Sequence, residues 1–230
     1  MRECSDGIAT ASLDMNLHTV ELPEAGGVTD SMLLDAFMPE FDATRIEHRV
    51  IDARPARVYE VAIRTDLAEV LLRSHVVSAL FGVRAAGERL LAMARGPRPE
   101  GQLGIGSMRL AELPDHGAWI RLGEDSPSEF VFGVVGRFWA GQTSWADVAS
   151  RDFVAFREPG YARIAANLSV RSYGDRRALL SYEARTQATD DAARRAFLRY
   201  WNLASPGAGV VMRSALALIA DETRRSGSGA

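Results

Sequence analysis

The sequence predicts an α+β fold in which a curved antiparallel β-sheet wraps around one long C-terminal helix, with extra short helices after the first strand. Three observations predict it. Two long alternating runs, Tyr161–Tyr173 (YARIAANLSVRSY) and Arg177–Ala188 (RALLSYEARTQA), flank the turn Gly174-Asp175-Arg176 and read as a β-hairpin. From Asp190 to about Arg225 the apolar residues recur at helical spacing. The other helical patterns are gathered between the first strand and the remaining ones instead of alternating with them, which separates α+β from α/β.

Residues 1–40 read as an acidic N-terminal arm carrying one short helix, 41–225 as a single domain, and 226–230 (SGSGA ending the chain) as a disordered tail. Within the arm, residues 1–30 lack periodicity, whereas Ser31–Phe37 reads as a helix capped by Ser31 or Asp30 and ended before Pro39. Arg45–Asp52 alternates, with Ile46, His48 and Val50 on the face expected to be buried and Arg45, Glu47 and Arg49 on the other. Pro55 suits the first position of a helix containing Val58, Val61 and Ala62. Asp66–Arg73 reads as a further capped helix, and residues 75–95 as two short ones divided by glycines. A Pro/Gly loop at 96–106 precedes strand candidates at 107–113, 118–123 and 129–139. Trp145–Ala155 is irregular, with room for a short strand, and Pro159-Gly160 fits the centre of a type II turn. In the last helix, capped by Thr189 or Asp190, the stripe Ala193, Phe197, Tyr200, Trp201 and Ala204 is expected to break at Ser205–Gly209 and resume at Val211.

Charge and composition remove several function classes. The chain has a net charge of −3, so it carries no electrostatic footprint for nucleic acid as a whole. All 27 basic residues are Arg, which excludes lysine Schiff-base chemistry from side chains. Cys4 is the only cysteine, so neither an intramolecular disulfide nor a cysteine metal site is expected, and a reducing cytoplasm fits. No basic segment leads into an apolar stretch at the start, and runs such as Val76–Val83 fall far short of the roughly 20 residues of a transmembrane helix. The four histidines share no zinc-ligand spacing, and no phosphate-loop, dinucleotide or nucleophile-elbow motif is present, so no metal and no cofactor are expected.

The element order and several stretches resemble the helix-grip superfamily of START lipid-transfer domains, pollen-allergen-like proteins and polyketide cyclases, also called SRPBCC. The stretches are Phe41–Val50, VVGRFW at Val134–Trp139, FREPGY at Phe156–Tyr161, Asn167, YEARTQATD at Tyr182–Asp190 and YWNLASPGAG at Tyr200–Gly209. Together they cover roughly 40–225, and they point to an uncharacterised bacterial subgroup. The resemblance implies a ligand cavity between the concave sheet face and the C-terminal helix, occupied by a small hydrophobic molecule: a lipid, a polyketide or an isoprenoid-like compound. Its expected lining is Phe132, Val134, Arg137, Trp139, Leu168, Tyr182, Phe197, Tyr200 and Trp201, with Arg137 as a carboxylate or phenolate anchor or else an Arg reaching solvent at a strand end.

Parity along the hairpin gathers Ile164, Ala166, Leu168 and Val170 with Leu180, Tyr182, Ala184 and Thr186 on one face, expected to meet the helix. Asn167, Glu183 and Arg185 fall on the other and are expected to form a solvated ladder, His48 being a satisfied core histidine. Two other classes remain open. One is an aromatase/cyclase-like enzyme using Glu183, Arg137 or Tyr182 as acid–base groups. The other is an interaction domain with a filled cavity and the acidic arm as its partner-binding segment; a second copy of the chain is a further candidate partner.

Overall fold

The computed structural model describes residues 31–70, 107–139 and 144–227. The arm at 1–30, the end of the helix expected at Asp66–Arg73, the two expected within 75–95 and the loop at 96–106 lie outside the described residues. Residues from Ser31 onward belong to one compact unit. Its elements are α1 (Leu33–Phe37), β1 (Ala43–Ile51), α2 (Pro55–Arg64), β2 (His116–Gly117), β3 (Trp119–Asp125), β4 (Glu129–Arg137), β5 (Ser144–Trp145), β6 (Val148–Ala149), β7 (Ala162–Ser172), β8 (Ala178–Ala188) and α3 (Asp191–Gly227). The main sheet is antiparallel in the order β1-β8-β7-β4-β3, with β5 added to the end of β4, while β2 and β6 form a separate ribbon. The fold is therefore α+β, a curved antiparallel sheet against a long C-terminal helix, and the order of its parts is that of a helix-grip domain.

The hairpin forms as its alternation predicts. β7 and β8 pair without a slip, Asn167 opposite Glu183 and Leu168 opposite Tyr182. The turn closes through Gly174 at φ +72°, and Gly160 at φ +83° provides the left-handed residue of the turn before β7. The segment at 107–113 is not a strand: Leu110–Glu112 is one 3-10 turn, with Leu110 fully buried beside α2. A short apolar run without sustained alternation gives no reason to choose strand over turn, and packing chooses here.

α3 runs unbroken through Ser205–Gly209 to Gly227, with Pro206 inside it. Proline removes one helical hydrogen bond, but the turns on either side are held by packing, Phe197 before it and Met212, Leu216 and Ile219 after it. By length and composition α3 could cross a membrane. Its buried stripe, however, packs against β1, β8 and α2, as in the core helix of a globular domain. Its start is fixed by Asp190, whose Oδ1 accepts from the Ala193 N–H at 2.8 Å while Oδ2 accepts from the Gly160 N–H.

β1 reverses its expected facing. Ile46 and Val50 are 42% exposed and His48 is exposed, its Nδ1 2.7 Å from Ser181 Oγ. The opposite face turns Arg45 and Glu47 toward α3. There Glu47 Oε1 accepts from Arg45 at 2.5 Å and from Arg213 of α3 at 2.7 Å. Gly209 makes room for this triad, because a Cβ at that position would stand 2.7 Å from Arg45 Cζ and 2.8 Å from Glu47 Oε1.

Two outcomes follow. Gly209→Ala must displace the flexible ends of Arg45 and Glu47 but gains about 1 kcal/mol of helix propensity, so chemical denaturation should show a net change within about 1 kcal/mol of zero, turning to a clear stabilisation in the Arg45→Ala background. The hydrogen bonds from the Ala193 and Gly160 amides hold the Asp190 carboxyl below the usual range. Its contribution is then present above the ordinary aspartate value and is lost as pH falls through the lowered one. Asp190→Asn should depress the thermal midpoint at neutral pH, and the gap to the wild type should close in strong acid.

Candidate functional site

The two faces of the sheet have different chemistry, and β4 shows why. From Glu129 to Gly136 every residue of this strand is buried. Phe130 and Phe132 pack into the core under α2 and α3, whereas Val131 and Val135 pack on the opposite face against Leu34, Met38, Ile120 and Phe153.

That opposite, outer face is the one expected to meet solvent, and the structure corrects the expectation. Asn167, Glu183 and Arg185 are buried at 0%, 7% and 8% exposure, together with Glu129. The segment carrying α1 covers them. Glu129 accepts from the Leu33 and Leu34 amides at 2.8 and 3.0 Å and from Asn167 Nδ2 at 2.5 Å. Arg185 donates to Glu183 and to Asp35, each at 2.6 Å, and to the Met38 carbonyl at 2.9 Å. The N-cap of α1 is Met32 and not Ser31, with Asp35 accepting from the Met32 N–H; Asp30 lies outside the described residues. Asn167 Oδ1 is buried with no donor. Arg163 is buried on the same face without a carboxylate: it donates to the Phe153 and Val154 carbonyls and to Gln187, and burial, then Arg157, pull its guanidinium down to about 10.

The inner face is aromatic. Phe132, Val134, Leu168 and Phe197 are fully buried there, while Tyr182, Trp139, Tyr200 and Trp201 are half-buried. These residues fall into two groups. Phe132 meets Tyr182 over the middle of the sheet, ring centroids 6.1 Å apart. Phe197 meets Trp139 and Trp201 at the start of α3, at 6.0 and 5.8 Å. Three residues outside the sequence-derived set join the groups. Trp119 contacts Phe132 at 6.0 Å and Trp145 at 6.1 Å, and Trp145 stacks on Phe138, which meets Phe197 edge-on at 5.7 Å. One chain of rings thus runs Tyr182–Phe132–Trp119–Trp145–Phe138–Phe197–Trp201. All four tryptophans of the protein belong to it or, as Trp139, adjoin it. Gly136 seats Trp145, since a Cβ there would lie 2.6 Å from the indole. The Trp145 Nε1 is buried without an acceptor.

Arg137 stands apart from this wall. It has the parity of Val131 and Val135, is exposed, stacks its guanidinium 4.0 Å from the centre of the Tyr161 ring, and donates to the Pro159 carbonyl at 3.4 Å. Glu183 is on the outer face as well, so neither group shares a face with Tyr182. Phe138 was legible through its shared parity with Phe132, whereas Trp119 lies on β3 and Trp145 on a two-residue strand that leaves no periodic trace.

Tyr182 combines three properties. Its ring is only half-buried although it lies on the core-facing side, burial pushes its hydroxyl up to about 12, and the hydroxyl has no hydrogen-bond partner among the described residues. Among the described residues no group of histidine, cysteine and carboxylate side chains could hold a metal. An open groove of about 510 Å³ lies elsewhere, between Asp52, Arg54 and Arg57 at the start of α2 and Thr223, Arg224 and Gly227 at the end of α3.

No protein-family model matches the chain, and no curated protein matches it. Some solved structures resemble it. A conserved Geobacillus kaustophilus protein is 9% identical over 80% of this chain and 97% of its own, with a TM-score of 0.37. A Thermus thermophilus protein is 9% identical over 80% and 99%, at 0.32. A Streptomyces aromatase/cyclase is 13% identical over 80% and 94%, at 0.28. Likeness at this level says nothing about activity; the helix-grip assignment stands on the strand order and the helix packed against it.

The outer cluster gives a direct stability test. Arg185→Leu leaves Glu183 buried without its cation and releases Asp35 and the Met38 carbonyl, so urea denaturation should show a loss of about 3 kcal/mol.

Proposed function

We propose that the protein, working in the cytoplasm, binds a small hydrophobic molecule, of lipid, polyketide or isoprenoid-like character, against the inner aromatic wall. Apolar burial on Phe132, Val134, Trp139, Leu168, Phe197, Tyr200 and Trp201 supplies the affinity, and a single polar anchor supplies the orientation. The observation that carries this reading is Tyr182, on the core-facing side of the sheet, with a partly exposed ring and a hydroxyl that has no hydrogen-bond partner among the described residues. A hydroxyl left open on an apolar wall is available to a ligand oxygen. Its raised pKa keeps the phenol protonated at neutral pH, so it acts as a donor and not as a base. The acid–base reading also loses Glu183 and Arg137, which sit on the other side of the sheet.

Native mass spectrometry of freshly purified protein should show a discrete small-molecule adduct that solvent extraction removes. Adding the neutral probe N-phenyl-1-naphthylamine to extracted protein should then change the tryptophan emission, because all four indoles lie in or beside the wall. For a ligand with an acceptor oxygen, Tyr182→Phe should weaken binding about 5- to 10-fold, the worth of one hydrogen bond to a desolvated hydroxyl. No adduct and no change in emission would leave the interaction-domain reading with a filled interior.

A further inference from the structure

We infer that the β1 edge of the sheet is a self-association surface that takes the β1 strand of a second copy of this chain, antiparallel and centred on His48. The two edges of the sheet differ. The β3 edge is interrupted by a bulge between Arg121 and Gly123, and the Arg121 N–H is taken by the Pro114 carbonyl at 2.9 Å. Bulges and covering segments are how proteins keep a sheet edge from pairing. Among the described residues the β1 edge has neither device. It pairs with β8 over nine residues without a slip, contains no proline, and has no second strand neighbour among the described residues. Its outward side chains include the exposed apolar pair Ile46 and Val50.

The sequence of β1 then selects one register. In a continued sheet, residues opposite each other must share a face, so only shifts of two residues need comparison. Centred on His48, the two-fold pairing sets Ile46 against Val50 of the second copy on the outer face. On the inner face it sets Glu47 against Arg49 of the second copy. Both pairings occur twice by symmetry, and both are favourable cross-strand pairs. Centring on Glu47 instead places Arg45 against Arg49 of the second copy and Glu47 against its own counterpart. Centring on Arg49 places Arg49 against itself and Ile46 against Asp52. Like charges oppose each other in both of these, and centring on Ile46 pairs Arg45 with Glu47 but shortens the ladder to residues 43–49 and leaves Arg49 against Ala43. Arg49, exposed and without an ion-pair partner among the described residues, gains one only in the His48-centred register.

Sedimentation velocity and cysteine cross-linking test this on the full chain. The wild type should sediment as a dimer at tens to hundreds of micromolar, and Arg49→Glu, facing Glu47 of the second copy, should weaken association about tenfold or more. In a Cys4→Ser background, His48→Cys should form a disulfide-linked dimer under mild oxidation. Ile46→Cys alone should not, whereas Ile46→Cys mixed with Val50→Cys should cross-link. His48, Ile46, Val50 and Arg49 are all exposed, so these variants keep the fold, and circular dichroism verifies it. A monomeric wild type at the highest concentration overturns the inference. So does a dimer indifferent to Arg49→Glu, or one in which Ile46→Cys cross-links to itself and His48→Cys does not.

Discussion

The carboxylate of Glu129 decides what the outer layer of this protein has to be. It sits at the start of a strand buried on both faces, and a buried charge must be supplied with donors. The donors are the first amides of α1 and the side chain of Asn167. A helix of five residues is far too short to hold itself together in water. α1 exists because both its ends are satisfied from the sheet: its N-terminal amides by Glu129, and the carbonyl of its C-cap residue Met38 by Arg185. Arg185 in turn is held by Glu183 and Asp35, so the cover and the polar residues beneath it stabilise one another. Neither would be stable in the buried state alone.

Closing the outer face with charges leaves the inner face to aromatic residues. The ring chain crosses β8, β4, β3 and β5 and ends on α3, so its members come from distant parts of the sequence and converge only when the sheet is complete. Ring pairs at these separations stabilise beyond their buried area. The half-buried state of Tyr182, Trp139, Tyr200 and Trp201 shows that the wall keeps accessible apolar surface on the side of the sheet that faces the core. A surface of that kind, with the accessible Tyr182 hydroxyl in it, suits a ligand that is bound mainly by area and oriented by one contact.

The hairpin, its register partners, the type II turn and the C-terminal helix were all legible, because each rests on local periodicity or on a residue with a special backbone preference. Parity along β7 and β8 also sorted the residues correctly into two faces. What parity lacks is any record of what covers a face. Asn167, Glu183 and Arg185 look like a solvated ladder unless one knows that a segment more than 120 residues earlier in the chain folds over them. β1 misled for a related reason: Ile46 and Val50 are the apolar parity, but Gly209 and Arg213 on α3 make a better fit for Arg45 and Glu47. Pro206 signalled a break that packing on both sides overrides. Trp145 was unreadable as a site residue because a two-residue strand has no period.

The triad of Arg45, Glu47 and Arg213 links the edge strand to the helix that roofs the aromatic wall. Glu47 is surrounded by two guanidinium groups, and although burial alone would raise its pKa, their hydrogen bonds and charges hold the carboxylate below the usual range. Two cations around one anion leave a local excess of positive charge on the inner side of β1. The His48-centred pairing sets Glu47 of each copy against Arg49 of the other. The same residue that fastens α3 to the sheet therefore also chooses the register in which two sheets can join.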